Sequence, residues 1–240
     1  MLPAREQPIR LVLVDDHTLM RQGMARLLAD QPDMKVIKQL SSGEEIIDII
    51  NNSSDENISE ESLDVLILDA RMPGLGSIET ARQLLESQPD LKIIALSSVA
   101  SGVIPSQLLR GGVQGFLTKR VDMEELCTAI RQVHGGQRYI CAEVATKLAV
   151  DPFNQRDSLF DKLSRREMQI AQMLTDGKKV SQISGVLELS PKTVYSYRYR
   201  IFEKLGIRSD VELTILAVRH GLTDDTRELA DLDQLERFAS

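Results

Sequence analysis

The sequence contains no tryptophan, few aromatic residues and only two cysteines. Because aromatic residues make up 4% of the 240 positions, any core has to be built mainly from aliphatic side chains. Cys127 and Cys141 lie in no CxxC or Cys/His spacing, which argues against a disulfide framework or a zinc site, and we interpret both as reduced. The first apolar run, residues 11–14, is too short for a signal peptide or a membrane span, so we expect a cytoplasmic protein without a membrane partner.

The charge is distributed unevenly along the chain. The net charge is −7, which taken alone argues against binding to nucleic acid. Residues 160–222, however, hold 11 Lys and Arg against 7 Asp and Glu, a balance of +4, whereas the rest of the chain has a balance of −11. An acidic body joined to a basic module predicts that only the module meets a polyanion such as DNA.

Short apolar runs alternate with helical patterns over the first 135 residues. Five such repeats predict an α/β doubly wound domain, with a five-stranded parallel sheet and helices on both of its faces. Its strands are expected at residues 9–14, 35–40, 65–68, 93–96 and 114–117. Residues 11–14 are apolar at every position, which is typical of a strand that is buried on both faces.

The second half of the chain has a helical pattern. Ser164 with Glu167 forms a capping-box pattern, and Ser190 followed by Pro191 is a helix start signal. We therefore expect an all-α domain of four helices at residues 160–222.

Three further segments separate or follow these domains. Residues 136–159 are interpreted as a linker that contains a helix, and residues 223–240 as an acidic C-terminal tail. The acidic stretch 51–62 is interpreted as a solvated loop, and the sequence assigns no role to it or to the tail.

Polar side chains follow four of the five predicted strands. They are Asp15 and Asp16 after the first strand, Asp69 after the third, Ser97 after the fourth and Lys119 after the fifth. The carboxyl ends of parallel strands meet at one edge of a sheet, so these side chains are expected to converge. Three carboxylates repel one another unless a cation lies among them, and oxygen ligands suit Mg²⁺. Asp69 could then act as a nucleophile that forms an acyl phosphate, with Lys119 and Ser97 contacting the phosphoryl oxygens.

The strings DDH, LDARMPG, LSS and GFLTK, in that order, resemble the receiver domain of bacterial two-component response regulators. The resemblance covers residues 8–135 and implies a flavodoxin-like fold, in which a sensor histidine kinase or its phosphotransfer domain phosphorylates Asp69. It also implies a Mg²⁺ ion held by a set of four residues, namely Asp15, Asp16, Asp69 and the backbone carbonyl of Arg71.

The same resemblance assigns the residues that transmit the signal. Ser97 takes the place of the family's switch hydroxyl, Lys119 that of its lysine, and Phe116 that of its switch aromatic residue. Because Phe116 has no hydroxyl group, any switching there must work by packing alone.

The helix that begins at Ser190, SPKTVYSYRYRIFEKLG, has two different faces. An apolar and aromatic stripe predicts packing against the domain: Val194, Tyr197, Ile201 and Leu205. The opposite stripe, Lys192, Tyr195, Ser196 and Tyr199, is expected to face outward. With Arg198 and Arg200 nearby, this composition indicates a surface that contacts phosphates and base edges of DNA.

The strings LSRREMQIAQMLTDGKKVSQISGVLELSPKTV and KLG resemble the LuxR/NarL/FixJ-type helix-turn-helix. The resemblance implies that Tyr195, Ser196 and Tyr199 face bases, that Lys179 and Lys192 contact phosphates, and that a homodimer reads two half-sites. The strings SYRYR, GGQRYI and VELTILAVRHGL are similar to the GacA/UvrY subgroup. That similarity implies hybrid sensor kinases and promoters of small regulatory RNAs.

The function favoured by both halves is a transcriptional regulator switched by phosphorylation, without enzymatic activity beyond self-phosphorylation and slow self-dephosphorylation. A phosphorylation-independent DNA-binding regulator is an alternative that the intact set of acids and lysine disfavours. A Mg²⁺-dependent phosphohydrolase is another, but such enzymes usually need a second acid two residues after the nucleophile, where this chain has Arg71. We interpret His17 as filling the first turn of its helix rather than as a ligand or proton donor.

Overall fold

The computed structural model describes residues 7–52, 63–150 and 159–222. Most of the acidic loop, residues 53–62, lies outside the described residues, as do residues 151–158 of the linker and the tail 223–240. The described chain forms two compact units, one built from nearly all residues up to Val150 and the other mainly from those that follow.

The first unit alternates strands and helices. Its strands are β1 (Ile9–Val14), β2 (Met34–Leu40), β3 (Val65–Asp69), β4 (Lys92–Ser97), β5 (Gly115–Thr118) and β6 (Tyr139–Ile140). Its helices are α1 (Thr18–Ala29), α2 (Gly43–Asn52), α3 (Ser77–Ser87), α4 (Val103–Arg110), α5 (Met123–His134) and α6 (Ala142–Val150). Helix α2 ends at Asn52, so Asn51 and Asn52, which the sequence interpretation assigned to the acidic loop, belong to the helix.

All strands pair in parallel, in the order β2-β1-β3-β4-β5-β6. Strands β1, β3 and β4 are central, and their aliphatic residues are almost completely buried because helices cover both faces of the sheet. The doubly wound parallel fold is thereby confirmed. Asp69 is the last residue of β3 and Ser97 the last of β4, so both lie at the carboxyl edge of the sheet.

The prediction of five strands was wrong by one. Strand β6 is only two residues long and follows a Gly-Gly pair, so it carries neither an apolar run nor an alternation that a sequence pattern could reveal. It is held by backbone bonds to β5: Tyr139 N donates to Gln114 O at 3.0 Å, and Cys141 N donates to Phe116 O at 3.0 Å. The segment predicted as a linker therefore begins as an edge strand of the sheet, and α6 follows it with Val144 fully buried.

The second unit is entirely helical over its described residues. A short 3-10 helix, Leu159–Lys162, precedes α7 (Arg165–Thr175), α8 (Val180–Leu187), α9 (Pro191–Leu205) and α10 (Asp210–Arg219). The predicted capping box is present, since Ser164 accepts a bond from Glu167 N and Glu167 accepts one from Ser164 N at 2.7 Å. The predicted four helices are confirmed, and their core contains Phe160, Ile170, Ile183, Val194, Ile201 and Leu213.

None of the helices in the described part of the chain is both long enough and apolar enough to cross a membrane.

Candidate functional site

The structure brings the three predicted acids and the lysine together at the carboxyl edge of the sheet. Lys119 Nζ donates to Asp69 Oδ2 at 2.8 Å and to Asp15 Oδ2 at 2.9 Å. Both carboxylates are buried, whereas Asp16 is half-buried at the rim. Carboxylate oxygens of Asp15, Asp16 and Asp69, together with a ring nitrogen of His17, lie within 4.8 Å of one another. The cluster therefore concentrates negative charge around one lysine.

Burial controls the electrostatics of this cluster. Burial raises the pKa of Asp69 to about 6, with a further rise from Asp15 and with Lys119 opposing it. Burial alone would lower the pKa of Lys119, but Asp69 and Asp15 outweigh it and the pKa is raised, so the lysine keeps its charge. A carboxylate that is costly to ionise in its pocket gains from any additional cation placed beside it.

Ser97 and Phe116 lie on neighbouring strands beside Asp69. Ser97 is buried, its Oγ accepts a bond from Val99 N at 3.0 Å, and its carbonyl accepts one from Lys119 N at 2.7 Å. Phe116 is fully buried in β5. The backbone of Lys119 is thus tied to β4, while the Phe116 backbone is tied to the segment that becomes β6.

The loop after β3 is held by a residue that the sequence reasoning missed. Arg71 N donates to Asp69 Oδ1 at 3.0 Å, which fixes the start of the loop on the acid itself. Further along, Leu75 N donates to Glu44 Oε1 at 2.8 Å, so a carboxylate from α2 clamps the loop. Gly74 has φ of +89°, and a Cβ there would lie 2.4 Å from Glu44 Oε1. Glycine is therefore required both by the backbone angle and by the clamp.

The structure places His17 differently from the sequence interpretation. It is the residue before α1, its side chain makes no capping bond, and its backbone N–H donates to Asp15 Oδ1 at 2.7 Å. Its Nδ1 lies 2.9 Å from Asp16 Oδ1, 3.3 Å from Asp15 Oδ1 and 3.8 Å from Asp69 Oδ2. The imidazole belongs to the acidic site rather than to the helix turn.

A groove adjoins this site between α1 and the start of α5. It is lined mainly by apolar residues of the two helices, together with His17 and Lys119 from the acidic cluster. Leu19 on its rim is 85% exposed, which is unusual for a large aliphatic side chain. The groove therefore leads from an exposed apolar surface to Lys119 and His17, the two residues beside the acids.

The second unit presents a polar and aromatic face on α9. Tyr195 and Tyr199 are 56% and 71% exposed, and Lys192 and Ser196 are exposed beside them. Val194, Ile201 and Leu205 are buried on the opposite side, while Tyr197 is half-buried. The two faces that the sequence predicted are therefore present. Lys179 is exposed immediately before α8.

The two arginines predicted as DNA contacts have partners inside the domain. Arg198 forms a bidentate pair with Asp210, with Nε and Nη2 each 2.7 Å from a carboxylate oxygen, and its guanidinium lies 4.7 Å from the ring centre of Phe202. Arg200 is exposed and lies 5.8 Å from the ring centre of Tyr197. This arrangement ties Arg198 to α10 through Nε and Nη2, and its role as a DNA contact stays a prediction.

Two protein families match the chain. Residues 11–131 match the response regulator receiver domain, and residues 161–217 match the bacterial regulatory proteins of the luxR family. The chain is 46% identical to the response regulator GacA of Pseudomonas aeruginosa over 218 residues, which cover 90% of this chain and 98% of GacA. It is 42% identical to the response regulator UvrY of Escherichia coli, covering 89% of this chain and 95% of UvrY.

A solved structure of RcsB from Salmonella enterica serovar Typhimurium, bound to promoter rprA, has the same fold. The TM-score is 0.62 at 22% identity, and the alignment covers 87% of this chain and 98% of RcsB. At that identity the likeness concerns the fold alone.

Proposed function

The chain belongs to the bacterial response regulators that join a receiver domain to a LuxR-family DNA-binding domain, and on that premise we propose a mechanism for its switch. As a member of this family it is a DNA-binding transcriptional regulator of a two-component system. We propose that Asp69 is the phosphoacceptor and that its phosphorylation controls DNA binding. The observation that supports this proposal is the Lys119 ammonium, which donates to the buried carboxylates of both Asp69 and Asp15.

The proposed step is a transfer of a phosphoryl group from a histidine nitrogen of the donor protein to an Asp69 oxygen. The O–P bond forms as the P–N bond breaks, the bonding pair returns to the imidazole nitrogen, and that nitrogen takes up a proton from water. Lys119 donates to the Asp69 carboxylate that attacks the phosphorus, so its ammonium can neutralise a phosphoryl oxygen in the transfer. The Ser97 hydroxyl is proposed to donate to another oxygen, and the buried Phe116 to respond by repacking.

The donor set fits a magnesium ion. Asp15, Asp16 and Asp69 supply oxygen ligands that lie close together. The single positive charge of Lys119 does not balance the two negative charges of the buried Asp15 and Asp69. We propose that these residues hold Mg²⁺ together with the backbone carbonyl of Arg71. The bound ion would supply positive charge to the phosphoryl oxygens, and the chain's own part is to hold the acids in place.

We propose that the groove beside α1 receives the phosphodonor, a sensor histidine kinase or its phosphotransfer domain. Leu19 provides an exposed apolar contact, and the groove reaches Lys119, so a partner docked there places its histidine next to Asp69. Leu19→Asp should therefore slow transfer from the partner protein by about tenfold or more, since it puts a charge into an apolar contact. Labelling by a small acyl phosphate should be unchanged in the same variant; an equal loss with both donors would contradict docking at α1.

We propose that the exposed face of α9 reads DNA. Lys192→Ala should weaken binding to all sequences and reduce its salt dependence, because a lysine that contacts phosphate carries no sequence information. Tyr195→Ala should instead change the preferred sequence. If neither variant alters binding, the face is assigned wrongly. Lys147→Ala removes an exposed lysine from α6 of the first unit and is the charge-matched control.

We propose a homodimer through α10, where Val211 and Ile215 are 68% and 47% exposed one helical turn apart. Such a dimer would read two half-sites. The similarity to GacA and UvrY supports promoters of small regulatory RNAs as targets, and a regulator of promoters acts in the cytoplasm, where bacterial DNA lies.

The assignment of Asp69 is tested by mass measurement after incubation with a small acyl phosphate and Mg²⁺. Wild type should gain one phosphoryl group of about 80 Da that hydroxylamine removes, because an acyl phosphate is labile to it. Asp69→Asn should gain none, and Asp64→Asn, which changes an acid outside the cluster, should still be labelled. Labelling of Asp69→Asn at the wild-type rate would refute the assignment.

A further inference from the structure

His17 is placed to act on the same cation that the proposed function assigns to Asp15, Asp16 and Asp69, and the inference below rests on that function. Its Nδ1 is 2.9 Å from Asp16 Oδ1, 3.3 Å from Asp15 Oδ1 and 3.8 Å from Asp69 Oδ2. All four donor atoms lie within 4.8 Å of one another. Two ligands of one ion, each about 2.1 Å from it, lie at most about 4.2 Å apart, so the largest separation in this cluster exceeds that limit by only about half an ångström.

Backbone hydrogen bonds hold His17 beside the acids. Its backbone N–H donates to Asp15 Oδ1 at 2.7 Å, and its carbonyl accepts a bond from Arg21 N at 3.0 Å in the first turn of α1. The side chain makes no capping bond with that helix. It is 56% exposed, so the ring covers the solvent side of a cluster whose other side is buried. The imidazole therefore faces the acids without a competing structural role in α1.

The chemistry of imidazole separates His17 from the other ligands. Mg²⁺ prefers oxygen ligands and retains water, whereas imidazole nitrogen suits later first-row ions such as Zn²⁺ and Ni²⁺. Mn²⁺ also favours oxygen ligands, but as a first-row transition-metal ion it takes an added nitrogen donor more readily than Mg²⁺ does. A site of three carboxylates alone discriminates little between Mg²⁺ and Mn²⁺. Adding one nitrogen donor gives the transition-metal ions a ligand that Mg²⁺ does not use.

We propose that His17 Nδ1 is a direct fourth side-chain ligand of the divalent cation at the Asp69 site, and that it biases the site toward transition-metal ions such as Mn²⁺ over Mg²⁺. An ordinary ion pair between imidazole and the acids is the competing account of the same distances. The two interpretations differ in what the His17 imidazole does when a metal ion binds. As a ligand, its Nδ1 coordinates the ion; as the partner in an ion pair, the imidazole is displaced from the acids by the ion.

The test uses pulsed electron paramagnetic resonance of the full chain loaded with one equivalent of Mn²⁺. Wild type should show modulation from a directly coordinated ¹⁴N nucleus, and His17→Ala should lose it. The chain has three histidines, so His134→Ala combined with His220→Ala is the matched control and should keep the signal. Absence of ¹⁴N modulation in wild type, or its persistence in His17→Ala, would overturn the proposal.

Affinities provide the second readout. The dissociation constant for Mn²⁺ should rise by about tenfold in His17→Ala, while that for Mg²⁺, measured by competition, should change less than about twofold. Retained Mg²⁺ binding also shows that the variant is folded. Equal changes of the Mg²⁺ and Mn²⁺ affinities in His17→Ala would overturn the proposal, although the magnesium site would remain. If Asp69→Asn leaves the affinities for both ions unchanged, the proposed cation site itself is refuted.

Discussion

The burial of Asp69 leads to a quantitative prediction for the variant Asp69→Asn in the absence of metal. Burial, opposed by Lys119, raises the pKa of Asp69 to about 6, from an ordinary value of 3.8. The folded protein therefore favours the protonated acid, and the contribution of this group to stability falls as the pH rises through the window from 3.8 to about 6. One pKa unit corresponds to 1.36 kcal/mol, so the ionised carboxylate costs about 3 kcal/mol at pH 8.

Asparagine has nearly the same shape as aspartate and carries no charge. The variant should consequently be more stable than wild type by about 3 kcal/mol at pH 8, by about half of that at pH 5, and by almost nothing below about pH 3. Lys119 keeps Asp15 as a partner in the variant, so its charge remains compensated.

Hydrogen exchange of the β1 and β3 amides measures this difference in the full chain without requiring a two-state transition of both units. Wild type and variant are compared at the same pH with a chelator present, so intrinsic exchange rates cancel. Added Mg²⁺ should stabilise wild type and narrow the gap, because the ion binds the charged carboxylate. A difference that does not change with pH, or a variant less stable than wild type at pH 8, would refute the reasoning.

Three further variants test other parts of the structure. Glu44→Ala removes the acceptor of Leu75 N–H, so exchange of the Leu75 amide should accelerate by about tenfold; unchanged exchange would contradict the clamp. Ile201→Ala should destabilise the second unit by about 2–5 kcal/mol, seen as faster exchange in α7 and α9 with β1 and β3 unaffected. Burial would raise the pKa of Glu167, but Lys204 and the bonds from Ser164 together outweigh it and hold the pKa below its usual 4.5. Glu167→Gln should therefore cost about 1–3 kcal/mol at pH 7 in a denaturation series, and a cost that fails to shrink below pH 4.5 would contradict the pair.

The sheet and its acidic edge were predictable because they depend on local patterns. Residues 9–14, 65–68 and 93–96 are almost wholly apolar runs, and parallel strands place their carboxyl ends together by geometry. Asp15 and Asp69 therefore converge whatever the loops do. Strand β6 escaped prediction because two residues carry no period, and its pairing is decided by the exposed edge of β5.

The contacts that sequence patterns could not reveal all depend on tertiary placement. Glu44 and Leu75 are 31 residues apart, and no motif links an acid in α2 to the loop after β3. Arg198 has the composition of a DNA contact, but Asp210 lies 12 residues away at the start of the next helix and takes its guanidinium. Position in the sequence cannot show which way an imidazole at a helix start points, so the contact of His17 with the acids was not predictable.

Promoter affinity of the full chain with and without phosphorylation shows whether Asp69 controls DNA binding. Genomic fragments that wild type protects from nuclease would be titrated with protein in the presence and absence of a small acyl phosphate and Mg²⁺. We expect wild type to bind promoter DNA more tightly after phosphorylation. Asp69→Asn should keep the affinity of unphosphorylated wild type under both conditions. Equal affinity of wild type with and without the phosphoryl group would contradict control of DNA binding by Asp69.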